Sequence, residues 1–282
     1  MVLSKSRLTR GAMIAADELF SVSGRTALVT GGATGLGRIC AEALLSAGAR
    51  VLIASRKAEA CETAAQELSA LGPCEGFGGT VATEAGVAAL AAETRKRADV
   101  LHILVNNAGA NWGEPFETFP WKAWDRVLSV NVTGLFALTR DLAPMLIASA
   151  TREWPSVVVN MGSVMGTVTQ SETAWAYSAS KAAVHHLTRI LAAELAGKQV
   201  TVNALAPGPF PTNMTKFATG DEAGLARSAR AVPMGRVGRP DDIAGALLFL
   251  TGRGGAYTTG AILPVDGGFG VTAPPAMFGG AE

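Results

Sequence analysis

Short, continuously apolar runs recur along the chain, and stretches with helical periodicity separate them. RTALVT (25–30), VLIAS (51–55), LHILVN (101–106), SVVVNM (156–161), QVTVNAL (199–205) and AILPVD (261–266) read as strands, with CEGFG (74–78) as a shorter one. Strands without polar alternation are buried on both faces. Between them RICAEALLSAGAR, KAEACETAAQELSALG to Gly72, EAGVAALAAETRKR, one long helix within 121–150, residues 175–197 and DDIAGALLFLTG carry apolar residues at helical spacing. Strand, helix and strand in repetition predict an α/β fold: a single-domain, Rossmann-type doubly wound parallel sheet of about seven strands, with helices on both faces. Neither a linker nor a repeat divides the 282 residues. One domain is therefore expected over 22–270, after an N-terminal extension (1–21) and before a Pro/Gly-rich tail (271–282).

Composition narrows the function classes. Hydrophobic residues make up 49% and charged residues 17%, with a net charge of +1. That balance gives no nucleic-acid footprint. No apolar run approaches the roughly 18 residues that suggest a membrane span. The opening residues are basic in places but lack the apolar core of a signal peptide, so a cytoplasmic location is expected. Cys40, Cys61 and Cys74 lack metal spacing and fit reduced thiols. With three histidines, of which His185 and His186 point to different helix faces, no metal site is expected.

TGGATGLG follows the first strand and opens the first helix. Glycine lets the backbone approach a ligand closely, and a helix N-terminus offers N–H groups to a pyrophosphate. Gly31, Thr34, Gly35, Leu36 and Gly37 form this candidate cofactor cradle. The second strand ends in Ala54-Ser55-Arg56-Lys57. An acid there would favour NAD(H). Ser55 and Arg56 instead suit a 2′-phosphate, so NADP(H) is expected, with NAD(H) the less favoured cofactor. Arg38 either adds charge to this site or is a surface residue.

AWAYSASKAAVHHL (174–187) places Tyr177 and Lys181 four residues apart, on one helical face. A phenol's pKa of roughly 10 is too high for efficient catalysis near neutrality, and a nearby ammonium lowers it. Such a pair can exchange a proton with a carbonyl or alcohol. Ser163 follows strand SVVVNM, where its hydroxyl can bond the substrate oxygen.

Taken in order, these motifs resemble the short-chain dehydrogenase/reductase family across roughly residues 22–270. TGGATGLG resembles its cofactor motif and NNAG (106–109) its motif after strand four. Asn131, Ser163, Tyr177 and Lys181 resemble its catalytic tetrad, and PG (207–208) and VDGG (265–268) later landmarks. The resemblance implies that Tyr177 moves the proton. Lys181 would hold the nicotinamide ribose and lower the pKa of Tyr177, Ser163 would hold the reacting oxygen, and Asn131 would hold a water. It also implies that Asn107, Ala108, Gly109, Pro207 and Gly208 line the cofactor pocket and that Thr212 helps hold the carboxamide. Thr80 and Val81 stand where the family often has an acid and an apolar residue, so adenine recognition is expected to rest on backbone groups, Val81 among them. SRKAEACETAAQELSALGPC, NWGEPFETFPWKAW and PMGRVGRPDDIAGA resemble bacterial β-ketoacyl reductases that use NADPH. That likeness implies reduction of a β-keto ester, thioester or similar ketone.

A substrate pocket is expected from Met165, Val164, the 167–175 loop with Trp175, Asn111, Trp112 and residues 209–217 with Met214 and Phe217. It reads as apolar and poor in Arg and Lys apart from Lys216, which fits an apolar ketone. The Pro/Gly-rich stretch 206–242 reads as a lid, or as a surface loop with a short helix. Three activities remain open: a ketone reductase, a secondary-alcohol dehydrogenase working oxidatively, and a catalytically silent nucleotide-binding scaffold. Family resemblance further implies a homotetramer or homodimer joined by helices near 121–148 and 175–197, and a small-molecule substrate.

Overall fold

The computed structural model describes residues 14–169, 173–212, 214–215 and 219–271. Within them β1 (Thr26–Thr30), β2 (Arg50–Ser55), β3 (Cys74–Gly78), β4 (Ile103–Asn106), β5 (Ser156–Met161), β6 (Val200–Pro207) and β7 (Ile262–Val265) form one sheet. Its order is β3-β2-β1-β4-β5-β6-β7, and every pairing is parallel. Val29 stands opposite Ile53 on one side and Val105 on the other, and Val105 stands opposite Val159. The central strands therefore end level. Strand order reverses between β1 and β4, which opens a crevice at their carboxyl ends.

The helices are α1 (Ala16–Phe20), α2 (Gly35–Ser46), α3 (Ala58–Leu68), α4 (Glu84–Arg97), α5 (Trp121–Leu128), α6 (Leu135–Ser149), α7 (Trp175–Leu195), α8 (Glu222–Arg230) and α9 (Pro240–Thr251). Side chains alternate across a strand, so each sheet face receives its own layer. Val29, Val51, Ile103 and Val157 pack with α2, α3 and α9. Leu28, Leu52, Leu104 and Val158 pack with α4, α6 and α7 on the other face. Each fully buried leucine or valine in these layers contributes about 1.5–3 kcal/mol.

Several expectations shift in detail. The third helix ends at Leu68 rather than Gly72: a turn in which Leu71 N–H donates to Leu68 O leads to Pro73, whose ring cannot continue a helix. The long helix is broken by a π turn at Ser129–Gly134. A Cβ on Gly134 would overlap Val81 O, so only glycine lets the helix pass this close to the segment that follows β3. Within the expected 206–242 stretch, Ala206 and Pro207 complete β6, while α8 is capped by Asp221, whose carboxylate accepts Gly224 N–H at 2.6 Å. In the N-terminal extension α1 lies against the end of α9, where a Cβ on Gly252 would overlap Leu19 O. Residues 1–13 of that extension and 272–282 of the tail lie outside the described residues.

Among the described residues the helical run Trp121–Ser149 is long and apolar enough to cross a membrane. Here it flanks the sheet instead, with Leu135, Leu138, Leu142 and Leu146 buried.

Candidate active site

The crevice begins at the β1–α2 turn. Gly31 and Gly35 have φ of +68° and +56°, a region that L side chains rarely adopt. A Cβ on Gly37 would overlap Gly31 O and the Asn107 amide. Thr34 caps α2 without a side-chain bond, and the first turn of α2 has no acidic residue. First-turn N–H groups and the helix dipole are thus left for an anion, and the cradle fits a dinucleotide pyrophosphate. The side chain of Leu36 packs on the core, so only its backbone can serve the cradle.

The motif after β4 fastens this turn. Asn107 Nδ2 donates to Thr30 O at 2.9 Å and Gly31 O at 3.3 Å. The backbone N–H groups of Asn107 and Ala108 both donate to Thr30 Oγ1 at 3.0 Å. Gly109 follows beside Asn131. Across the crevice, Gly208 N–H donates to Val265 O at 3.0 Å just after Pro207, and a Cβ on Gly208 would come 2.8 Å from Asp266 Cα. Thr212 lies over the glycine turn, 3.6 Å from where a Gly35 Cβ would stand, and bonds Thr215.

Ser55 closes β2, and Arg56 is exposed beside it. Among the described residues no carboxylate pairs with Arg56. Arg38 differs: it bonds Glu42 at 2.9 Å and Glu67 at 2.6 Å, so it is a surface ion-pair residue rather than added charge at the site. Val81 is buried beyond β3, and Thr80 Oγ1 accepts Ala82 N–H at 3.2 Å.

Tyr177, Lys181 and Ser163 meet at the carboxyl end of β5. Ser163 caps a short 3-10 turn, and its Oγ accepts Met165 N–H at 3.2 Å. It is hydrogen-bonded to Tyr177. Lys181 Nζ lies 5.4 Å from the centre of the Tyr177 ring and donates to Met161 O at 2.6 Å. Burial lowers the pKa of Lys181 to about 8. No net lowering of the Tyr177 pKa is found. Burial raises the phenol's pKa, and the hydrogen bond with Ser163 is what opposes the rise. Loss of water around the ring outweighs the neighbouring groups.

Asn131 sits in the π turn, a helix form common at functional sites. Its Oδ1 accepts Ala110 N–H at 2.7 Å, and its Nδ2 donates to Ala110 O at 3.0 Å and Ser180 Oγ at 2.9 Å. The amide thus ties the loop after β4 to α7.

The sequence reading missed a buried polar chain behind these residues. Asn106 Nδ2 donates to Thr139 Oγ1 and Asn160 Oδ1, both at 2.9 Å, and Asn160 Nδ2 donates to Thr188 Oγ1 at 2.9 Å. Ser180 Oγ donates to Tyr177 O at 2.6 Å. Asparagines ending apolar strands, in LVN and VVN, were the available signal, because buried amides require partners.

On the substrate side, Trp175 Nε1 donates to Glu114 O at 3.1 Å, and its ring meets Phe116 edge-on at 5.5 Å. Trp175 thus pins the 111–118 loop to α7. Trp112 carries Lys122 and Arg126 at 5.5 Å each from its ring. α5 thus brings two exposed cations beside Trp112, from ten and fourteen positions down the chain. Met165 is half-buried next to Ser163, and Met214 is exposed. Residues 170–172, Lys216 and Phe217 lie outside the described residues. A cavity of about 350 Å³ opens beside β7, lined by Phe210, Val232 and Asp266 among others and not by Ser163, Tyr177 or Lys181. Among the described residues no group of three or more His, Cys, Asp or Glu is arranged to hold a metal ion.

Known proteins are similar to this chain over most of its length. A family model described as enoyl-(acyl carrier protein) reductase matches residues 31–270. A rhamnolipids biosynthesis 3-oxoacyl-(acyl-carrier-protein) reductase of Pseudomonas aeruginosa is 46% identical over 250 residues, 89% of this chain and 98% of the relative. A galactitol 2-dehydrogenase (L-tagatose-forming) of Cereibacter sphaeroides is 42% identical over 253 residues, 89% of this chain and 97% of the relative. The Pseudomonas aeruginosa RhlG/NADP active-site complex superposes with a TM-score of 0.88 and 45% identity, over 90% of this chain and 99% of that one.

Proposed function

Since the chain belongs to the short-chain dehydrogenase/reductase family and is an NADP(H)-dependent oxidoreductase of CH–OH and C=O groups, we propose that it reduces an apolar ketone, or a β-keto ester or thioester, to a secondary alcohol. The reading rests on the convergence of Ser163, Tyr177 and Lys181 at the same sheet edge as the glycine cradle. Bound reduced NADP supplies a hydride to the carbonyl carbon. Tyr177, kept protonated by burial, gives its phenolic proton to the carbonyl oxygen. Ser163 Oγ accepts Met165 N–H, which leaves its own proton for that same oxygen. Lys181 stays cationic near neutral pH and favours the phenolate that remains. Its second role is to hold the cofactor ribose, for which the ammonium keeps donors besides the one given to Met161 O. Gly31, Thr34, Gly35, Leu36, Gly37, Asn107, Ala108 and Gly109 hold the dinucleotide, with Val81, Pro207, Gly208 and Thr212 around it. Ser55 and Arg56 take the 2′-phosphate, because a guanidinium without an acidic partner is matched to a dianion.

Met165, Trp112, Trp175 and Met214 border the substrate, and the segment after Pro207, with α8, acts as its lid. Phe136 on α6 and Ile190 on α7 are exposed apolar side chains, which supports pairing of these helices in a homotetramer or homodimer.

A second reading, oxidation of a secondary alcohol, is favoured by the 42% identity to a galactitol 2-dehydrogenase. Initial rates on a panel of ketones, β-keto esters and polyols, with NADPH and NADH side by side, separate the two. Faster turnover of bulky ketones with NADPH supports the reductase. Turnover confined to polyols with oxidised cofactor replaces it.

A further inference from the structure

Cys61 is buried in α3, and its thiol donates to Ser55 Oγ at 3.1 Å. Ser55 Oγ also accepts Lys57 N–H at 3.4 Å, and its own proton reaches Lys57 O at 3.4 Å. The sulfur's place is fixed by two glycines of β3. A Cβ on Gly76 would overlap Cys61 O, and one on Gly78 would come 3.1 Å from Ala58 Cβ, so α3 seats directly on the strand.

A hydroxyl has one proton and two acceptor positions. In Ser55 the thiol and the Lys57 N–H take both acceptor positions. Only the O–H remains, held by one long bond to a carbonyl. We propose that Cys61 is a positioning residue for cofactor choice: its thiol turns Ser55 into a donor at the end of β2, matched to a 2′-phosphate rather than a 2′-hydroxyl. A phosphate dianion only accepts, so the prearranged O–H meets it without reorganisation. A ribose hydroxyl both donates and accepts, and gains less from a partner that can only donate. Arg56 supplies the charge and Ser55 the directed bond. The inference rests on the NADP(H) reading above.

The test is titration calorimetry of NADPH and NADH with the full chain. Wild type, Cys61→Ala, Cys61→Ser, Ser55→Ala and the Ser55→Ala/Cys61→Ala double variant are compared, each checked for an unchanged thermal unfolding midpoint. Cys61→Ala is expected to weaken NADPH roughly two- to fivefold, the lower part of the range for a hydrogen bond because S–H is a weak donor, and to leave NADH unchanged. Cys61→Ser keeps a donor and retains the NADPH affinity. In the Ser55→Ala background, Cys61→Ala changes neither affinity. Equal weakening of both cofactors, or a loss that persists without the Ser55 hydroxyl, overturns the inference and leaves Cys61 a packing residue. Wild type binding NADH more tightly overturns the NADP(H) reading itself, and the inference falls with it before any variant is compared.

Discussion

Replacing His185 with leucine removes an imidazole wedged between α7 and the loop that carries Ser163. A Cβ on Gly162 would come 2.5 Å from His185 Nε2, and one on Gly166 would come 2.8 Å from Cε1. Nε2 is buried with no hydrogen-bond partner. Burial first, then the charges of Lys181 and Arg189, lowers the pKa of His185 from 6.5 to about 4. The unfolded chain thus takes up this proton near pH 6.5 and the folded chain only near pH 4. Between those values the unfolded state binds more protons, so the stability is complete above about pH 6.5 and is lost as pH falls toward 4. At about 1.4 kcal/mol per unit of pKa, the loss is roughly 2 kcal/mol at pH 5 and roughly 3 kcal/mol by pH 4. Leucine has similar volume and no nitrogen to leave unpaired. The variant should therefore lie within about 1 kcal/mol of wild type at pH 7.5. Urea unfolding at fixed protein concentration, at pH 7.5, 6 and 5, measures the difference. Wild type should lose roughly 2 kcal/mol more than the variant between pH 7.5 and 5. The same loss in both proteins would refute the assignment of this acid sensitivity to His185.

Three further outcomes are expected. Arg56→Asp should raise the KM for NADPH by about tenfold or more and leave that for NADH nearly unchanged, since it sets a carboxylate against the phosphate; steady-state kinetics with both cofactors checks this. Gly134→Ala should cost about 1–3 kcal/mol, read as a lower thermal midpoint, because its Cβ would overlap Val81 O. The kcat/KM for ketone reduction should fall as pH rises through about 8, where Lys181 loses its proton, and a flat profile from pH 7 to 9.5 would contradict that role.

Much of this fold was legible because its signals are local. The central strands are apolar on both faces, so RTALVT and SVVVNM could be read without knowing their neighbours. EAGVAALAAETRKR coincides with α4 residue for residue. Thr83 caps it by accepting Gly86 N–H at 3.1 Å, and its last turn is basic. Tyr177 and Lys181 were legible because helical spacing alone puts them on one face. What was missed depends on residues far apart in the chain. The π turn is anchored by Asn131 to Ala110 and Ser180, 21 and 49 positions away. Trp112 acquires its cations only when α5 folds beside it. The raised pKa of Tyr177 comes from burial, which no spacing between Tyr177 and Lys181 encodes.

The central claim is that Tyr177 delivers the proton to a carbonyl in an NADPH-dependent reduction. It is tested most directly by pre-steady-state reduction of a turned-over ketone by wild type and Tyr177→Phe, with NADPH affinity measured on the same samples. Loss of a positioned acid should slow the chemical step by roughly 10²–10⁴-fold while NADPH binds as before. A variant that reduces the ketone within about threefold of the wild-type rate, with NADPH binding intact, would contradict the account, because an effect that small lies well below the contribution of a general acid.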